Sequence, residues 1–141
     1  MTPDKLLRNE AAKWLRQAAR DRNAAQVLVD VEPSRSVFLS QQAAEKATKA
    51  FLTFHQIAFR KTHNLAELGS QCAAVDPTLE PVLREAEELT DYASAFRYPD
   101  APCEPDAAEA AEAPTLTISR LLISSCRQVP PAWFTPPARE N

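Results

Sequence analysis

Apolar residues recur every three to four positions along most of this chain, and the rhythm breaks where proline or a turn residue appears. That pattern predicts five helices. Thr2-Pro3, a cap residue followed by proline, opens the first, which runs to about Val29. Its apolar face is Ala11, Trp14, Leu15, Ala18, Ala25 and Leu28, and Asp21 interrupts that face. A carboxylate there is costly unless a cation or hydrogen bonds meet it. After Pro33-Ser34 the second helix runs from about Ser34 to His55. It gathers Ala43, Ala47, Ala50, Phe51 and Phe54 on one side, and Gln42, Lys46, Lys49 and Thr53 on another. A third, short helix follows, with Thr62 or Asn64 as its cap. The fourth starts at about Thr78, which places Pro81 in its first turn, where proline is tolerated. It carries Leu79, Val82, Leu83, Ala86, Leu89, Ala93 and Phe96. The fifth spans about Asp106 to Gln128, with Pro114 kinking it or delaying its start.

Amphipathic helices with short connections lead to an all-α fold, an antiparallel up-and-down four-helix bundle with an additional short helix. The core is expected along the first, second, fourth and fifth helices. Residues 1–129 form the helical domain and 130–141 a Pro-rich tail, extended and anchored by Trp133 and Phe134.

Composition agrees with this picture. One glycine, Gly69, stands against twelve prolines in 141 residues, whereas all-β folds draw heavily on glycine for turns. A content of 45% apolar and 25% charged residues is an ordinary globular mix. The net charge of -3 removes a surface basic all over, leaving room only for a local basic site. Cys72, Cys103 and Cys126 form no CxxC pair, and His55 and His63 complete no zinc spacing, so neither a metal nor a cofactor is expected. Reduced thiols, the absence of any long apolar run and an N-terminus without a signal-peptide core point to the cytoplasm, with no membrane partner.

Three constellations carry candidate chemistry. The stripe Gln42, Lys46, Lys49 and Thr53 is either a solvated helix face or an anion site. Beside it, Arg60-Lys61-Thr62-His63 abuts a helix N-terminus, whose free N–H groups favour anions. Lysine is a compact charge for phosphate; His63 is either a proton donor near the ligand or a capping or packing residue. In Arg97-Tyr98-Pro99-Asp100, proline ends the fourth helix. Arg97 there either complements the helix C-terminus, grips a phosphate or satisfies Asp21, and Tyr98 either packs or stacks on a base.

Taken in order, Trp14…Ala18…Asp21…Ala25, Gln41-Gln42-Ala43-Ala44-Glu45-Lys46…Lys49-Ala50, Lys61-Thr62-His63-Asn64-Leu65 and Arg97-Tyr98-Pro99-Asp100 make a series that resembles the HEPN domain family. These are helical domains of prokaryotes and higher eukaryotes named for nucleotide binding. The resemblance covers roughly residues 8 to 128. It implies an up-and-down bundle, commonly a homodimer. Many members are encoded beside a minimal nucleotidyltransferase, as halves of toxin–antitoxin pairs.

The family also contains metal-independent ribonucleases, marked by an arginine, usually a polar residue, then four to six residues and a histidine. This sequence departs from that signature. Arg60 precedes His63 by too little, Arg97 has no histidine after it, and Arg22-Asn23 lacks the histidine. The expectation is therefore a non-catalytic module that binds a nucleotide, an RNA or a nucleotidyltransferase partner through Gln42, Lys46, Lys49, Lys61, His63, Arg97 and Tyr98. In it, Asp21 anchors a cation, either Arg97 or Lys49. The alternative is a ribonuclease toxin with a degenerate or displaced active site.

Overall fold

A computed structural model describes residues 2–95 and 105–111. The described residues are helical, without a strand: α1 (Pro3–Leu28), α2 (Pro33–Phe54), α3 (Leu65–Val75), a 3-10 turn (Pro77–Leu79) and α4 (Glu80–Ala95). One more helical turn stands at 107–111. Beyond it, the fifth helix, the tail with Trp133 and Phe134, and the Arg97-Tyr98 pair lie outside the described residues. No helix among the described residues is long and apolar enough to cross a membrane.

Sequence features set the helix ends. Thr2 caps α1 by accepting from the Lys5 N–H, with Pro3 in the first turn. Helix α2 closes in a Schellman motif. The Ile57 N–H reaches the Leu52 carbonyl at 2.9 Å, the Gln56 N–H reaches that of Thr53 at 3.1 Å, and Gln56 sits at φ 59°. Glycine has no steric cost in that left-handed conformation, so Gln56→Gly is expected to raise stability by up to ~1 kcal/mol, read as a higher urea midpoint at unchanged slope. Asn64 rather than Thr62 caps α3, taking the Ala66 and Glu67 N–H groups on its side-chain oxygen. The Thr62 hydroxyl instead accepts from the Asn64 N–H. The α4 boundary also shifts: residues 77–79 wind as a 3-10 turn capped by Asp76, and Pro81 falls in the first turn of the α-helix behind it.

Helix α2 is central, packing on α1, α3 and α4. Small side chains let α1 and α2 approach closely: Ala18 and Ala25 on one, and Ala43, Ala44, Ala47 and Ala50 on the other, are all buried. Buried hydroxyls along the seam are satisfied locally. Ser36 donates to the Ala25 carbonyl, Ser40 to that of Ser36 and Thr48 to that of Glu45. The core extends through Phe51 and Leu52 to Leu65, Leu68 and Cys72 of α3, and to Leu79, Val82, Leu83 and Ala86. The expectation that α3 lies outside the core is thus corrected. Its leucines and cysteine recur at the three- and four-residue spacing that aims one face inward.

Candidate functional site

The polar stripe of α2 divides between two neighbours. Lys46 bonds Asp21 of α1 at 2.5 Å, and both side chains are about one-fifth exposed. This pairing meets the carboxylate on the apolar face and corrects one of the two expected partners of Asp21, Lys49; the other, Arg97, lies outside the described residues. The Lys49 ammonium turns the other way, to the Glu45 carboxylate at 2.9 Å, and lies 5.3 Å from the centre of the Trp14 ring. The pair is almost fully enclosed, with the Lys49 and Glu45 side chains 8% and 3% exposed.

Glu45 gathers the site. Its Oε1 accepts from Lys49 and meets His63 Nδ1 at 2.9 Å, while Gln41 Nε2 lies 3.5 Å from Oε2. Gln42 donates to the Gln41 side-chain oxygen at 2.8 Å. His63 thus belongs to the face built by α2, although it comes from the loop ahead of α3. It neither caps that helix nor packs inside: its side chain is 85% exposed.

The loop that presents His63 is tied down along its length. Ile57 and Phe59 pack on the core, and Phe59 meets Trp14 edge-on with ring centres 6.5 Å apart. The Ala58 carbonyl accepts from Gln71 Nε2. Arg60 grips Glu67 through two bonds of 2.7 and 2.8 Å, which hold the guanidinium above and the carboxyl below their ordinary values. Arg60 is thereby engaged, whereas Lys61 beside it is exposed and forms no ion pair among the described residues.

Gln42, Lys49 and His63 are therefore joined through Gln41 and Glu45 in one hydrogen-bonded and ion-paired network, while Lys46 and Asp21 form a separate pair between α2 and α1. Sequence reasoning passed over Glu45, although it stands four residues before Lys49, the favourable order for a helical ion pair. Two features fall outside the assembly. Burial pushes the Cys72 thiol up to about 12, leaving it un-ionised at neutral pH and unsuited to nucleophilic work. A cleft of roughly 400 Å³ opens between α3 and α4, floored by Gly69, Ala73 and Leu83 and rimmed by Glu80, Arg84 and Glu87, but none of the expected site residues lines it. Among the described residues no group of acidic, cysteine or histidine side chains is placed to hold a metal.

A helical domain carrying a polar, internally charge-balanced face on its central helix defines the class of this protein. Residues 11–121 match the HEPN domain, and the chain belongs to that family. No curated protein and no solved structure matches it.

Proposed function

We propose that the protein is a non-catalytic HEPN-type module that binds a nucleotide or nucleic acid, or a nucleotidyltransferase partner, at the face containing Gln42, Lys46, Lys61 and His63. The observation that supports this reading best is the Glu45 assembly. It fixes an exposed imidazole beside an exposed lysine that has no ion pair among the described residues, on a surface that offers both donors and acceptors. Family membership supports the ligand class, and by the same resemblance a cytoplasmic homodimer and a role in a toxin–antitoxin pair. Arg97 and Tyr98, expected at the site from the sequence, lie outside the described residues. Lys49 supports it from beneath, because its charge is committed to Glu45 in a nearly closed environment.

Calorimetric titration with ADP tests the reading. Lys61→Ala removes an exposed cation that has no ion pair among the described residues, so the fold should be unchanged and affinity should fall about three- to tenfold, with a weaker salt dependence. Wild-type affinity for ADP in both Lys61→Ala and Lys46→Ala, or no binding by the wild-type protein, would remove the site as drawn.

A second reading, RNA cleavage, draws on one observation: a buried carboxylate orients a solvent-facing imidazole, the arrangement a general acid–base needs. Incubation with tRNA and mRNA decides it. Cleavage that disappears in His63→Ala establishes the enzyme; intact RNA removes this reading.

A further inference from the structure

We infer that Glu45 is a positioning residue for His63, and that it makes the imidazole a hydrogen-bond acceptor for a sugar hydroxyl or base N–H of the ligand rather than a phosphate contact. The inference rests on the binding reading above and assigns the part of the ligand that His63 meets.

An ionised carboxylate has no proton to donate, so the 2.9 Å contact places a proton on Nδ1. In the neutral ring that leaves the lone pair on Nε2, and the 85% exposed side chain has no other hydrogen-bond partner among the described residues. An imidazole on a surface loop ordinarily samples both tautomers. Here the acceptor cannot adapt, because Glu45 is 3% exposed and Lys49 shares the same oxygen, itself held near Trp14. The loop cannot readily swing away either, being fastened by Arg60 to Glu67, by Gln71 to the Ala58 carbonyl and by the Asn64 cap.

An outward lone pair repels phosphate oxygens and attracts O–H and N–H groups. The cation for phosphate is the exposed Lys61, two residues before His63. Charge and tautomer together divide the work: lysine for the phosphate, histidine for the nucleoside.

Two measurements test this. Long-range nitrogen NMR of the wild-type protein at pH 8 should show the His63 proton on Nδ1; a proton on Nε2 overturns the role of Glu45 without touching the binding reading. Glu45→Gln, whose carboxamide both donates and accepts, should relax the tautomer preference if it folds, and an unchanged preference counts against positioning by Glu45. If it does not fold, the wild-type spectrum decides.

Calorimetry with ADP and inorganic pyrophosphate then reads the ligand contact. In His63→Asn the amide overlays Nδ1 and keeps the Glu45 bond, so ADP affinity should fall about tenfold. In His63→Gln the amide reaches toward the Nε2 position, so ADP affinity should stay within about threefold of wild type. Pyrophosphate binding should be the same in all three proteins. Equal losses for pyrophosphate would make His63 a phosphate contact and overturn the inference, as would ADP affinity unchanged in His63→Asn. Failure of the wild-type protein to bind either probe removes the binding reading and the nucleoside contact together, and the NMR result then decides the Glu45 assignment alone.

Discussion

Glu45→Ala is expected to cost about 3–5 kcal/mol, a large share of the stability of a domain this size. The loss has three parts. It strands the Lys49 ammonium in a nearly closed site, with the Trp14 ring, whose centroid is 5.3 Å away, as the favourable neighbour left among the described residues. A cation–π contact is worth ~2 kcal/mol at best, less than the cost of a buried unpaired charge. It also frees His63 and with it one fastening of the loop before α3. Lastly, it removes the acceptor near the Gln41 amide.

Urea unfolding of the single variant measures the total. The double variant Glu45→Leu/Lys49→Met should recover most of it, because exchanging a buried ion pair for apolar side chains of similar volume is often neutral or stabilising. A single-variant loss below about 1 kcal/mol would mean that the pair is solvated in solution and that Glu45 anchors nothing.

Leu68→Ala is expected to destabilise the protein by about 2–5 kcal/mol. Leu68 is fully buried between Leu65 and Cys72 on the inner face of α3, within the cluster that joins α2 and α4. Truncation removes buried methyl groups and leaves a cavity whose cost depends on how far its walls relax. Two of those walls are constrained: α3 is held at its start by the Asn64 cap, and the loop before it by Arg60 and Gln71. The cost should therefore lie above the bottom of the range. Ala66→Ser, on the exposed side of the same helix, should change stability by no more than about 0.5 kcal/mol. Similar small effects from both substitutions would show α3 to be peripheral to the core rather than part of it.

These two residues also show where sequence reading stopped. Helices α1, α2 and α4 were legible because each carries several turns of apolar spacing bounded by proline or a cap. Helix α3 was legible as a helix but not as a core element. Eleven residues hold few inward positions, and nothing local says which neighbours they meet.

The site was half legible for a related reason. Periodicity put Gln42, Lys46 and Lys49 on one stripe, yet successive residues turn by about 100°, so Lys49 lies within about 40° of Glu45 and Lys46 within about 60° of Lys49. A stripe that wide faces two neighbours at once. It splits when α1 brings Asp21 to one edge and Trp14 to the other.

By itself, then, the sequence determined an all-helical protein, most of its helix boundaries and its family resemblance. These depend on short-range spacing, capping and proline geometry. Tertiary structure alone decided that Asp21 takes Lys46, that Glu45 is buried between Lys49 and His63, and that α3 completes the core. Each of those outcomes depends on which groups distant in the chain come within about 3–5 Å, where charge pairing and desolvation become strong enough to choose between partners.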